Sequence, residues 1–272
     1  MTEFFDIFNY AFFTNALLGV VIISIAASLI GSYIVVRRLV AISGGITHAC
    51  FGGLGLGYFL GINPLLSAAL FAIGASAGVE WMATRYRVRE DSAIAVVWAL
   101  GMAIGILFVF LTPGYVPELN SFLFGNVLTI STADLWTFAI FAALLVAFMA
   151  AFYRPIVACA FDRDFARIMG LPVRFITYTM TAFVAVAIVL TIKLVGVMLL
   201  MSMFVLPQLV AEMFTNRFGT MIGLSVAVSL LCCVSGLLLS AAIDVPSSAL
   251  IVMIMVVAYA VARVAAALAR RS

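Results

Sequence analysis

Long apolar runs, separated by short groups of charged residues, dominate the pattern of this chain. The runs reach about the 20 residues that a helix needs to cross the hydrocarbon core of a bilayer. Because lipid cannot hydrogen-bond open backbone groups, every run is predicted to be helical. The pattern therefore predicts an all-α integral membrane protein, a bundle of eight or nine transmembrane helices. The predicted spans are 11–36, 41–60, 65–83, 92–112, 133–153, 175–192, 194–214, 219–241 and 247–267.

The number of spans depends on the stretch 175–214, where Lys193 interrupts an otherwise apolar sequence. This stretch can form two spans, or one span followed by a broken, re-entrant piece. Two spans give nine crossings in all, and the re-entrant alternative gives eight.

Basic residues follow alternate spans, and the remaining loops carry almost none apart from Lys193. Cytoplasmic loops carry an excess of Lys and Arg. Nine spans, with the N-terminus outside and the C-terminus in the cytoplasm, fit every basic cluster. The clusters are Arg37 and Arg38; Arg85, Arg87 and Arg89; Arg154, Arg163, Arg167 and Arg174; Arg217; and Arg270 and Arg271.

Composition excludes a soluble globular domain, because 67% of the residues are hydrophobic and only 9% are charged. No repeat or low-complexity segment divides the chain, so residues 1–272 are predicted to form a single transmembrane domain. The start, MTEFFD, is acidic, and no cleaved targeting signal is expected. The four cysteines lack CxxC spacing and are predicted to be packing residues: Cys50, Cys159, Cys232 and Cys233.

A charged island at 161–175 interrupts the apolar pattern and predicts one short helix. Asp162 is a good N-cap, and Asp164 adds negative charge where the helix dipole favours it. Gly170 tolerates left-handed geometry after the last turn, and Pro172 prevents continuation. These signals delimit a helix of about eight residues, a length that is unstable in isolation.

The apolar residues of this short helix recur at three- and four-residue spacings and share one face: Phe161, Phe165, Ile168 and Met169. Arg163 and Arg167 point elsewhere. Because such a helix needs support, we predict that it is offered to a partner on the cytoplasmic side.

His48 is the only histidine and lies well inside the second predicted span. An ionisable residue is costly at that depth, which suggests that it has a function. Imidazole is the commonest metal ligand. The alternative is a histidine that hydrogen-bonds a neighbouring helix. The surrounding small residues predict close helix packing along a transport path: Gly44, Gly45, Gly52 and Gly53.

Few other charges lie in or near the spans. Glu212 is a candidate metal ligand or relay in the ion path, or an interfacial carboxylate facing Arg217. Glu80 is predicted to pair with Arg85 or Arg87 in a structural role.

The segment after the fourth span is predicted to be extracellular, with a helix start at Ser131. Lys193 and Asp244 are also predicted at the outer surface. The chain carries no GxxxxGK[ST], no HExxH and no nucleophile elbow. We therefore predict a transport subunit and not an enzyme.

Three segments resemble the membrane permease subunits of ABC importers for zinc and manganese, the metal ABC-3 family. They are GGITHACFGG at 44–53, ELNSFLFGNVLTISTADL at 118–135 and FDRDFARIMGLPV at 161–173. The resemblance covers nearly the whole chain. It implies a type II ABC importer-like fold, assembled as a homodimer in the bacterial plasma (inner) membrane.

The resemblance also implies partners. A cytoplasmic ABC ATPase subunit would drive transport, and an extracellular or periplasmic metal-binding protein would deliver the ion; no nucleic acid is expected. Zn²⁺ or Mn²⁺ would be the transported substrate, with no cofactor bound permanently. The coupling helix against the ATPase would comprise Asp162, Arg163, Asp164, Phe165, Ala166, Arg167, Ile168, Met169 and Gly170.

The sequence departs from the family pattern at two carboxylates. Family members commonly carry an aspartate four residues before the histidine, where this chain has Gly44, and the family's LFGD becomes LFG followed by Asn126. Imidazole without carboxylate leans towards zinc, since manganese prefers oxygen ligands. If the pore runs between two copies, His48 occurs twice, and two imidazoles could pass an ion across.

Two alternatives remain open at this point. One is a permease for a metal chelate, siderophore or corrinoid. The other is an ion-coupled secondary transporter, which would favour polar residues on broken helices near the midplane.

Overall fold

The structure is a computed structural model that describes residues 11–113, 125 and 127–269. The described residues form helices and connecting turns, and no strand occurs among them. The helices are α1 (Ala11–Val36), α2 (Val40–Leu60), α3 (Pro64–Arg85), α4 (Glu90–Leu111), α5 (Thr132–Ala151), α6 (Tyr153–Phe161), α7 (Arg163–Ile168), α8 (Val173–Glu212), α9 (Phe218–Ile243) and α10 (Ser247–Ala269), with a 3₁₀ turn at Val127–Thr129.

Eight helices of the described segments are long and apolar enough to cross a membrane: α1, α2, α3, α4, α5, α8, α9 and α10. The prediction of an all-α membrane bundle is therefore confirmed. The helix predicted to start after Ser131 is also present, because α5 begins at Thr132.

Helix α8 contains the interruption that Lys193 predicts. Its 40 residues would extend about 60 Å as one straight helix, roughly twice the hydrocarbon thickness of a bilayer. Gly196, with φ 79° and ψ 170°, divides it into helical segments 173–195 and 197–212. The second segment also contains Pro207. The sequence thus located the break to within a few residues.

The chain divides into two compact units. The first comprises Met1–Val35, Phe122–Ala151 and Lys193–Ser272, and the second comprises Val36–Ser121 and Phe152–Ile192. The two segments of α8 fall almost entirely into different units, because the division after Ile192 lies close to the break at Gly196.

In the second unit, α2 and α4 pack backbone to backbone through small residues. A Cβ added at Gly101 would lie 2.5 Å from the Cα of Ala49, and one added at Gly52 would lie 2.8 Å from the Gly101 carbonyl oxygen. Gly55 and Gly105 meet in the same way one turn further along. On the α3 side, a Cβ at Gly53 would lie 2.6 Å from the Cα of Ala68. The glycines of α2 therefore permit a separation that larger residues would prevent.

In the first unit, Gly125 packs directly against the α8 break. It has a φ of 56°, and an added Cβ would collide with the backbone of Val195 and Gly196. Close by in the sequence, the Ser131 hydroxyl donates to Asp134 Oδ2 over 2.7 Å, and the Ser131 side chain accepts the Asp134 N–H over 3.2 Å. Lys193 forms an ion pair with Asp134. A salt bridge and a glycine contact therefore fix the chain at the break.

The four cysteines are free thiols with buried side chains: Cys50, Cys159, Cys232 and Cys233. This agrees with their prediction as packing residues. Desolvation raises the pKa of the Cys159 thiol on α6, with the charge of Arg37 acting in the opposite direction. The thiol is therefore protonated at neutral pH.

Candidate functional site

The short helix α7 is capped at both ends by residues next to it in the sequence. Asp162 Oδ1 accepts hydrogen bonds from the N–H groups of Asp164 and Phe165, each over 2.9 Å. Gly170 follows the last turn with a φ of 72°, and the Leu171 N–H returns to the Ala166 carbonyl over 3.1 Å. Both predicted caps are present, although the helix has six residues instead of about eight.

One face of α7 packs against the rest of the second unit, to which α7 belongs. Ala166 is fully buried. The Arg163 guanidinium makes a bidentate contact with Glu80 of α3, with distances of 3.0 Å to Oε1 and 3.1 Å to Oε2. Glu90, at the start of α4, lies 3.7 Å from Arg163 and 3.4 Å from Arg37, which precedes α2. The ion-pair cluster of Arg37, Glu80, Glu90 and Arg163 therefore connects α7 to the ends of α2, α3 and α4.

The prediction that Glu80 pairs with Arg85 or Arg87 is wrong. Glu80 binds Arg163, 83 positions later in the chain. Glu80 lies on the α3 face that meets α7, and its carboxylate is largely enclosed there. Sequence proximity favoured the nearer arginines, whereas the chain path brings Arg163 to this carboxylate.

The other face of α7 is apolar and uncovered. Ile168 is 84% exposed, Met169 63% and Phe165 55%, and Phe161 at the end of α6 is also exposed. Arg167 pairs with Asp164 of the same helix over 3.2 Å, and both side chains are largely exposed. The helix thus combines a fixed inner face with a bare apolar outer face.

His48 lies on α2, half-buried, with its ring stacked on Trp98 of α4. The ring centroids are 4.7 Å apart and the planes differ by 5°, and Phe51 lies 6.2 Å from His48. Stacking fixes the imidazole plane and leaves both nitrogens at the ring edge. Gly44, one turn earlier, is buried. Among the described residues no three His, Cys, Asp or Glu side chains come together as a metal site.

Sequence reasoning missed Trp98. It shares one face of α4 with the residues that pack on α2, because Ile94, Trp98, Gly101 and Gly105 recur at four-, three- and four-residue spacings. An aromatic residue in line with Gly101 and Gly105 was a signal that it faces α2, the helix that carries His48.

Glu212 is the last residue of α8 and is exposed. Among the described residues no ion pair joins it to Arg217 or to another cation. Its role in an ion path therefore stays a prediction, as does that of His48. Asn126 and Arg270 lie outside the described residues.

Comparison with known proteins places this arrangement in a family. The sequence model described as "ABC 3 transport family" matches residues 9–266. An uncharacterized membrane protein of Synechocystis sp. is 36% identical over 92% of this chain and 89% of its own length. The manganese transport system membrane protein MntC of Listeria innocua is 30% identical over 93% and 90%.

A solved structure has the same fold. PsaBC from Streptococcus pneumoniae in complex with Fab aligns with a TM-score of 0.83 at 24% identity, covering 96% of this chain and 94% of the matched chain. With the family match spanning nearly the entire sequence, this chain belongs to the ABC 3 transport family.

Proposed function

We propose that this chain is the membrane permease of an ABC importer that moves a divalent metal ion into the cytoplasm, driven by a separate ATPase subunit. The observation that carries the proposal is α7. A capped helix is fixed on one face by Arg163 and Ala166 and presents bare apolar residues on the other. Such a face suits a protein partner, and the chain has no nucleotide-binding motif of its own.

Family membership supports ATP-driven transport over an ion-coupled secondary mechanism. In ATP-driven transport, the ATPase subunit would attach at the α7 surface, with Phe165, Ile168 and Met169 as its apolar contacts. The ion-pair cluster beneath α7 would carry a displacement of this helix to α2 and α4, the helices that bear His48 and Trp98.

Two observations bear on the ion. The Listeria relative is named for manganese, which supports manganese for this chain. The residues around His48 support zinc, since imidazole without a neighbouring carboxylate is a poorer site for manganese. In a homodimer, His48 would occur twice, and two imidazoles could bind an ion in transit.

The test is metal uptake by proteoliposomes that contain this chain with its ATPase and metal-binding protein. ATP-dependent entry of Mn²⁺ or Zn²⁺ into the lumen is expected, measured with a metal-sensitive dye and each ion as competitor of the other. An ATPase subunit unable to hydrolyse ATP serves as the control. Uptake of a chelated metal with neither free ion transported would overturn the proposal.

A further inference from the structure

The second unit contains a cavity of about 620 Å³ beside α7, at the end of α3 and the start of α8. Its charged lining consists of one carboxylate, Glu80, and five arginines: Arg85, Arg87, Arg163, Arg167 and Arg174. The proposed ATPase contact does not account for this cavity, because the exposed apolar residues Phe165, Ile168 and Met169 do not line it. The cavity and the apolar face are distinct surfaces of the same helix.

The positive charge in the cavity is mostly uncompensated. Glu80 is bound bidentately by Arg163, and Arg167 is paired with Asp164. No carboxylate within the described part of the chain lies in ion-pair distance of the other three arginines, Arg85, Arg87 and Arg174. Arg85, Arg87 and Arg174 are exposed, so each guanidinium is open to a ligand, and an anion in the cavity would be attracted by all three.

The backbone holds one of these arginines in an unusual conformation. Arg87 has a φ of 53°, a left-handed geometry that residues other than glycine rarely adopt. It follows the end of α3, in the turn before α4. Arg38 and Asp244, which also follow helix ends, share this geometry, so it defines the turn after α3 that brings Arg87 to the cavity.

The position of the cavity indicates which anion would reach it. Arg85 and Arg174 lie at the ends of the membrane-spanning helices α3 and α8, on the side that the arginine clusters assign to the cytoplasm. Trp81, 51% exposed, and Tyr178 also line it, and Trp81 packs edge-on against Tyr86 at 5.0 Å. Aromatic rings of this kind concentrate at the membrane–water interface, where lipid phosphates lie.

We propose that this arginine cavity binds the phosphate group of an anionic phospholipid from the cytoplasmic leaflet. Arginine forks match phosphate oxygens in a bidentate geometry. Basic pockets between membrane helices on the cytoplasmic side are suited to anionic headgroups. A lipid bound there bridges the ends of α3 and α8 to α7 and steadies α7. The proposal is independent of which ion the protein transports.

The test uses the full chain in nanodiscs of phosphatidylcholine, with phosphatidylglycerol added in steps. Native mass spectrometry measures the apparent Kd of bound phosphatidylglycerol. The variant Arg85→Gln, Arg87→Gln, Arg174→Gln is expected to bind about tenfold more weakly, or worse, because it loses charged hydrogen bonds. The matched control Arg154→Gln, Arg217→Gln, Arg263→Gln removes equal charge from exposed positions outside the cavity and should bind like wild type.

Two outcomes would overturn the proposal. The first is equal phosphatidylglycerol binding by the cavity variant and wild type; if that variant also loses ATPase association, the cavity belongs to an acidic protein segment. The second is inorganic phosphate binding as tightly as the lipid, since the site would then serve a free anion.

A measurement without cavity substitutions covers the case in which the glutamine variant does not fold. Replacing Trp98 and Trp136 by Phe leaves Trp81 as the only tryptophan of the chain. Phosphatidylglycerol with brominated chains should then quench Trp81 fluorescence more strongly than brominated phosphatidylcholine at equal mole fraction. Equal quenching by the two lipids contradicts the proposal.

Discussion

At the scale of single residues, Arg163 and His48 illustrate two ways in which a membrane protein accommodates a polar side chain. Arg163 is neutralised by a bidentate carboxylate, and such pairs are costly to break because the remaining charge stays buried. His48 instead stacks on an indole, which satisfies the ring face and leaves its nitrogens for another partner. The first arrangement favours a structural role, and the second leaves a binding role open.

Replacing Glu80 by Gln should destabilise the protein and uncouple α7, because the Arg163 guanidinium loses its closest carboxylate. The expected loss of unfolding free energy is roughly 1–3 kcal/mol, the range for a hydrogen bond to a charged group, because Gln can accept from the half-buried Arg163 but carries no charge. Thermal unfolding in detergent measures the stability. ATP consumed per ion transported measures the coupling.

The charge-reversed pair Glu80→Arg with Arg163→Glu provides the control for that prediction. It restores the ion pair and should recover part of both losses, whereas Arg154→Gln, an exposed residue, should change neither. If the Glu80→Gln variant has the same unfolding temperature and the same ATP consumption per ion as wild type, the ion-pair cluster does not support α7.

Replacing His48 by Phe separates packing from binding. Phenylalanine retains an aromatic ring to stack on Trp98 but has no ring nitrogens, so stability should be retained while metal uptake falls at least tenfold, the effect of removing about 1.4 kcal/mol of interaction. Uptake in proteoliposomes and thermal unfolding are measured side by side. Normal uptake by the Phe variant, together with impaired folding of His48→Ala, would mean that His48 serves helix packing alone.

At the scale of elements, local signals were predictive and distant contacts were not. The caps of α7 depend on Asp162 and Gly170, residues next to the helix, and the sequence identified both. The break in α8 was indicated by Lys193, although Gly196 supplies the geometry. The partner of Glu80 and the stacking of Trp98 depend on which helices meet, and apolar periodicity does not specify that when most faces of a helix are hydrophobic.

The glycines of α2, α3 and α4 allow the element-scale packing to be tested. Gly101→Ala should destabilise the protein by about 1–3 kcal/mol, the range for overpacking, because its Cβ would lie 2.5 Å from the Cα of Ala49. Gly74→Ala on α3 is the matched control, since its Cβ would meet nothing within 4 Å. Thermal unfolding of both variants in the same detergent measures the difference. Equal stability would contradict the close packing of α2 on α4.

At the scale of the whole molecule, the number of membrane crossings decides on which side of the membrane each loop after Glu212 lies. An N-terminus outside and a C-terminus inside require an odd number of crossings. The structure has eight helices of sufficient length within its described ranges, one of which breaks at Gly196. If both segments of α8 cross, the total is nine. If 197–212 enters and returns on the same side, the total is eight and everything after Glu212 is inverted.

We expect nine crossings, because inversion would move Arg217 and Arg271 to the outside, against the distribution of basic residues. Single cysteines at Asn216 and Ser272, in a background without the native cysteines, should react with a membrane-impermeant maleimide only after the cells are opened. A cysteine at Asp244, in the turn between α9 and α10, should react in intact cells and serves as the internal control.

The reverse pattern at all three positions would establish eight crossings and make segment 197–212 re-entrant. Because the Lys193–Asp134 pair and Gly125 both hold the chain at the start of that segment, the same result would identify the break as a fold-back point and not a connection between two spans.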